Sequence, residues 1–262
     1  MPSYNDFNLQ WENRKQYEDI LTDSLRIINE RDKSWKHSNF YHGNFIPQIP
    51  NQFIRRYTKK WDYVVDLFIG SWTTAIECEN LWRNIVGVDL NGELIQRLDT
   101  LIEENIDKYF LQWDSTKKET MLKIQNYLKN KWKLWADLVL LHPPYFDIVK
   151  FSDKEEDLSN AKTLEDFLNS FSLVAKNAFD IVKKWWYLAL VIGDKYQNSE
   201  RVPLWFYCMQ KMQEAGLKLK SIVVKNMEGN RWKLWTWGIR RYRALNSDYY
   251  IFKHEYIFLF KK

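Results

Sequence analysis

Apolar residues recur along this chain with two different periods. Between 13 and 30 they fall at Tyr17, Ile20, Leu21, Leu25 and Ile28, the spacing of one helical face. The stretch 42–50, punctuated by Pro47 and Pro50, reads as a loop. From residue 62 onward, short strand-like runs alternate with helical ones. The strands are expected at Tyr63–Phe68, Ile85–Asp89, Tyr109–Trp113, Ala136–Leu141, Tyr187–Ile192, Leu217–Val224 and Tyr249–Phe260. The helices are expected at Thr73–Leu81, Glu93–Ile106, Lys117–Asn130, Leu164–Val182 and Val202–Ala215. This alternation predicts a parallel sheet with helices on both faces. The last two strands have no helical stretch between them, so an antiparallel pair is expected to end the sheet. The organisation predicted is an N-terminal helical and loop extension over 1–50 and one α/β domain over 51–262.

No apolar run reaches the roughly 18 residues that a membrane span needs, and the polar N-terminus has no signal-peptide core. Cys78 and Cys208 lie far apart in apolar segments, which predicts buried free thiols and a cytoplasmic protein. The net charge of +5 permits a polyanionic partner. Basic clusters stand at 55–60 and 240–243. His37, His42, His142 and His254 show no ligand spacing with either cysteine, so no metal site is expected.

Chemistry collects where strands end. The first strand runs through Asp66 into Phe68, Gly70, Ser71, Thr73 and Thr74, a small-residue turn before a helix N-terminus. Such a turn cradles nucleotides, because backbone N–H groups and the helix dipole point out of it. The second strand ends in Asp89 and Leu90; an acid about 20 residues past the turn suits a ribose diol, or else caps the next helix. The third ends in Asp114 and Ser115, suited to an adenine amino group or again to a cap. The fourth ends in His142, Pro143, Pro144 and Tyr145. Two prolines remove two donors and leave stiff, unpaired carbonyls, and the aromatic adds a stacking platform for a flat base.

Together these segments resemble the amino-methyltransferases of DNA, which make N6-methyladenine or N4-methylcytosine. The family's cofactor signature, DPF-x-GSGTT, is matched by residues 66–74, and its (D/N/S)PPY signature by His142-Pro143-Pro144-Tyr145. Residues 45–50, with Ile46 and Pro47, resemble the segment that closes over the methionine end of the cofactor. Residues 187–196 resemble the fifth strand and the loop beside the target base. The resemblance implies a Rossmann-like class I methyltransferase fold, with a mostly parallel seven-stranded sheet and an antiparallel C-terminal strand. It implies S-adenosylmethionine as cofactor and DNA as partner, with RNA or tRNA as the alternative. A catalytically inactive nucleic-acid-binding relative is the other alternative.

Two departures stand out. His142 occupies the place of Asp, Asn or Ser, although a neutral imidazole also accepts a hydrogen bond. Trp72 occupies the place of the family's second turn glycine, where a large side chain would fill part of the cofactor site. The chain has 14 Trp and only 8 Gly, against about 18 Gly expected from average usage. Trp61, Trp82, Trp113, Trp185, Trp186, Trp205, Trp232, Trp235 and Trp237 also stand where the family or ordinary turn chemistry wants glycine. Some genetic codes read UGA as Gly and others as Trp, so this pattern is expected if such codons were read under the wrong code.

Overall fold

The computed structural model describes residues 4–33, 36–37, 43, 45–197, 200–227, 237–248 and 250–262. His42, Trp232, Trp235 and the first part of the basic, aromatic stretch 229–245, residues 229–236, therefore lie outside the described residues. The elements are β1 (Leu25–Arg26), α1 (Gln48–Tyr57), β2 (Tyr63–Asp66), α2 (Thr73–Asn80), β3 (Asn84–Asp89) and α3 (Gly92–Leu101). They continue with β4 (Lys108–Gln112), α4 (Lys118–Asn130), β5 (Ala136–Leu141), α5 (Leu164–Ile181) and β6 (Val182–Ile192). Last come β7 (Lys195–Gln197), β8 (Glu200–Val202), α6 (Leu204–Glu214), β9 (Lys218–Asn226), α7 (Trp237–Leu245) and β10 (His254–Lys261).

One sheet runs in the order β1-β9-β10-β6-β5-β2-β3-β4, and β7 and β8 form a separate ribbon. The pairs from β6 to β4 are parallel, whereas β10 lies antiparallel between β6 and β9. Successive strand residues face opposite sides of the sheet. Val65, Val86, Val139 and Leu141 therefore join the core under α4, α5 and α6, with Phe167, Phe171 and Met212. Val64, Ile85, Leu138 and Leu140 join the core under α1, α2 and α3, with Phe53, Cys78 and Leu98. Both faces are covered, which explains why these strands read as continuous apolar runs.

The structure departs from the sequence expectation in its first 60 residues and near its end. Instead of a helix over 13–30 there is a single turn of 3-10 helix, Arg14–Tyr17, and the two-residue strand β1. Tertiary partners win here. Leu21 N–H donates to Gln52 Oε1 at 2.7 Å and Ile28 N–H donates to Asn226 Oδ1 at 2.7 Å. β1 adds to the open edge of β9 and makes the sheet eight-stranded rather than seven-stranded. The proline-rich stretch is not all loop: Pro47 caps α1 and Pro50 lies in its first turn, where no N–H donor is needed. α1 therefore crosses position 50. Finally, α7 stands between β9 and β10, so the antiparallel pair is not a simple hairpin.

Candidate functional site

The turn after β2 is built around Asp66. This carboxylate, 1% exposed, accepts from Phe68 N–H at 2.9 Å and from Thr74 Oγ1 at 2.6 Å, so one side chain ties both ends of the turn. Burial pushes Asp66 up to about 6; the Thr74 and Phe68 bonds oppose this and Asp89 adds to it. Gly70 adopts φ +46° and its N–H donates to Asp89 Oδ2 at 3.0 Å. Ser71 Oγ is buried without a hydrogen-bond partner, an orphaned group of the kind a ligand satisfies. Thr73 and Thr74 are buried at the start of α2.

Asp89 ends β3 and is only partly buried. Its other oxygen accepts from Asn91 N–H at 2.8 Å, and burial raises its pKa. It is not the cap of α3: Asn91 is, accepting from Glu93 and Leu94. Leu90 is partly exposed beside it. Asp114 is more enclosed, and its two oxygens accept from the N–H and hydroxyl of Thr116, both at 2.8 Å. Lys117 rather than Asp114 caps α4. Ser115 Oγ donates to Leu67 O at 2.6 Å, which fastens this loop to the turn after β2. Asp66, Thr74, Asp114 and Ser115 are thus buried at these strand ends, while Phe68, Asp89 and Leu90 are partly exposed there.

His142, Pro143, Pro144 and Tyr145 leave the C-terminal end of β5, the strand directly beside β2, with Leu140 in register with Asp66. The four motifs therefore lie side by side along one sheet edge, on β5, β2, β3 and β4. The connectivity reverses between β5 and β2, and such a switch point is where open α/β sheets bind ligands. Phe45 packs edge-on against the His142 ring at a centroid distance of 4.7 Å, bringing Ile46 and the capping Pro47 to the same mouth.

Several residues here escape sequence reasoning. His142 Nε2 lies 3.2 Å from Tyr145 Oη, whose one proton is donated to Glu255 Oε2 at 3.4 Å. Glu255 is buried and paired with Lys225 Nζ at 2.7 Å. Burial drives His142 down to about 4, with Glu255 opposing and Lys225 assisting, so the imidazole is neutral at ordinary pH. A Cβ on Gly193 would come within 2.8 Å of the Tyr145 ring, so glycine lets the end of β6 back this ring closely. Phe146 is held at φ +55°, and Lys195, paired with Asp147, sits 4.4 Å above its ring. The contacts with Lys225 and Glu255 have no local sequence signature, joining residues up to 110 positions apart, whereas Gly193 and Lys195 fall in the 187–196 stretch expected beside the target base.

The profile of a family described as DNA methylase matches residues 3–103. A Type II methyltransferase, M.MjaII of Methanocaldococcus jannaschii, is 32% identical over 114 residues, which is 40% of this chain and 20% of that protein. The chain thus aligns with about a fifth of that relative's length. Among solved structures, TrmN from Thermus thermophilus superposes with a TM-score of 0.50 at 14% identity, over 83% of this chain and 49% of the other. A TehB-like SAM-dependent methyltransferase from Corynebacterium glutamicum gives 0.48 at 11% identity, over 81% and 86%. The fold is that of a Rossmann-like class I methyltransferase. The family match covers Ile46, Pro47, the turn after β2 and Asp89, and it ends before the diproline edge. The orphaned Ser71 hydroxyl and the flanking Asp89 suit the cofactor of such a fold, while the N–H groups of Phe68, Ile69, Gly70 and Trp72 are already bonded within the protein. Trp72 holds the N-cap position of α2 at φ +80°, with its indole buried in the core cluster under α1–α3 and its Nε1 donating to Leu94 O at 3.3 Å.

Proposed function

We propose that this chain uses S-adenosylmethionine to methylate the exocyclic amino group of a DNA base, N6 of adenine or N4 of cytosine. The observation that carries the reading is the diproline edge of β5 lying directly beside the acid-tied turn of β2 at the switch point. The match of residues 3–103 to the DNA methylase family and the likeness to a Type II methyltransferase support it.

Phe68, Gly70, Ser71, Thr73 and Thr74, organised by Asp66, would hold the methionine end of the cofactor, with Ile46 and Pro47 covering it. Asp89 and Leu90 would meet the ribose, and the loop of Asp114 and Ser115 the adenine. Bound there, the cofactor supplies an electrophilic methyl group on a sulfonium that is its own leaving group. The target base would leave its helix at a cost of about a few kcal/mol. Tyr145, backed by Gly193, would stack on it. His142, neutral, and the Pro143 carbonyl would accept hydrogen bonds from the amino group and aim its lone pair. His142 and the Pro143 carbonyl would hold the nitrogen toward that methyl group, and the proton the nitrogen sheds would pass to solvent. Pro144 contributes stiffness by fixing the chain between acceptor and stacking ring. Positioning and polarisation would supply most of the rate.

Helix α7 presents Arg240, Arg241 and Arg243 beside the exposed Tyr242, a composition suited to tracking a phosphate backbone. Arg55 and Arg56 are less suited, since they bind Asp19 and the Leu21 carbonyl internally.

The test is transfer of tritiated methyl to unmethylated DNA and to tRNA, using the chain and its W72G variant. Label in DNA, recovered as N6-methyladenine or N4-methylcytosine, is expected. Label confined to tRNA would overturn the choice of substrate, and cofactor binding without transfer to either would favour an inactive nucleic-acid-binding relative.

A further inference from the structure

Among the described residues, six other than glycine adopt positive φ, and five of them are tryptophan: Trp61 (68°), Trp72 (80°), Trp82 (59°), Trp132 (59°) and Trp185 (69°). The left-handed region crowds Cβ against the backbone, so it is glycine's region, and bulky residues are outliers there. Chance does not gather one rare residue type at five such positions.

Each position has its own requirement for glycine. α2 ends with Trp82 N–H bonded to Glu79 O at 3.2 Å and Arg83 N–H bonded to Cys78 O at 2.8 Å, the paired bonds of a Schellman motif. α4 ends identically: Trp132 N–H reaches Lys129 O at 3.0 Å and Lys133 N–H reaches Leu128 O at 2.9 Å. α6 supplies the internal control. Gly216 N–H reaches Gln213 O at 2.9 Å and Leu217 N–H reaches Met212 O at 3.3 Å, and here the left-handed residue is glycine. Trp61 is the third residue of a turn closed by Asp62 N–H to Lys59 O at 3.1 Å, the position that takes glycine when φ is positive. Trp185 lies in a bulge of β6, where the register against β5 jumps from Ala136–Val182 to Leu138–Tyr187. Trp72 occupies the cofactor turn itself.

Outside that turn the indoles pack little: Trp61 and Trp82 meet edge-on at 5.7 Å, and Trp185 lies under the Lys184 and Lys261 amines. Trp61, Trp82, Trp132 and Trp185 are 52%, 43%, 96% and 56% exposed, so much of the apolar area that justifies a tryptophan stays in water. We propose that residues 61, 72, 82, 132 and 185 are glycine in the functional protein, and that a glycine at position 72 leaves the cofactor turn open. One codon read two ways, UGA as Gly in the source and as Trp in translation, accounts for all five. It also accounts for a glycine count of only 8. The φ argument does not reach Trp113, Trp186 and Trp205, none of which is left-handed. The consequence at position 72 rests on the function proposed above; the backbone argument does not.

The codons come first: UGA at all five positions is expected, and UGG there overturns the proposal. At the protein level, W61G, W82G, W132G and W185G should each raise the unfolding midpoint by about 2–4 °C. W132A, which removes the indole but keeps a Cβ, should gain little. W11G and W135G, at positions without positive φ, should gain nothing. A combined variant melting no higher than its parent, or W132A matching W132G, contradicts the account. Because Trp72 is buried, W72G is read by calorimetric titration with S-adenosylmethionine: affinity should rise at least about tenfold, and unchanged affinity sinks the role given to glycine at that position. A stabilised, cofactor-binding glycine variant that methylates no DNA would leave this inference standing and defeat the proposed function.

Discussion

At the scale of single residues, His142 is where burial and chemistry meet. Removing an acceptor that polarises the amine should lower kcat about 10²-fold in H142A, with cofactor affinity unchanged. The folded-state pKa of about 4 lies below the ordinary 6.5. The unfolded chain therefore binds more protons between those values, and the stability due to this group is lost as pH falls through that window. Any break in methyl transfer near pH 6 should therefore belong to Asp66, pushed up to about 6, and its disappearance in H142N would contradict a neutral His142. H142N should flatten the slope of stability against pH between 4 and 6.5. Gly193 makes a separate prediction. In G193A the new Cβ would meet the Tyr145 ring at 2.8 Å, so kcat should fall while cofactor binding holds; an unaltered kcat would mean the ring is not part of the site.

At the scale of elements, caps and edges decide where the chain stops being regular. Asn91 accepts from two N–H groups at the start of α3, so N91A should cost about 1 kcal/mol in urea unfolding, and no loss would show that α3 does not depend on this cap. The helices α2 to α6 and the central strands are legible because their apolar periods persist for whole elements, whereas the short α7 falls outside the sequence expectation. The helix expected over 13–30 does not form, although its spacing is helical. Leu21, Leu25 and Ile28 are held instead by Gln52, the free edge of β9 and Asn226, and a local pattern carries no record of such partners. The whole of α1 escapes sequence reasoning, for a complementary reason: proline signals an interruption except in the first turn of a helix. In the candidate site, each strand-end motif announces itself locally, and parallel pairing then brings them together. Of the surroundings of Tyr145, Gly193 lies in the 187–196 stretch expected beside the target base, whereas Lys225 and Glu255 reach it only through the sheet order.

At the scale of the whole molecule, the sheet joins two functions. Its parallel half carries the crevice, and its antiparallel edge, β9 and β10, backs the diproline loop through the buried Lys225–Glu255 pair. Breaking that pair should be costly at both levels. K225M, leaving a buried carboxylate uncompensated, should lose about 3–5 kcal/mol of stability, and K225M/E255Q should recover much of it. If the double variant recovers nothing, the charge pair is not what holds this edge. The central claim is one of adjacency: an amine presented by the end of β5 to a methyl donor held by the end of β2. Ultraviolet cross-linking of methyl-tritiated S-adenosylmethionine to the W72G chain, with mapping of the labelled peptides, tests it most directly. Label within residues 142–146 and 66–74 is the predicted result. Label on the opposite edge of the sheet, or on α7 alone, would contradict the account.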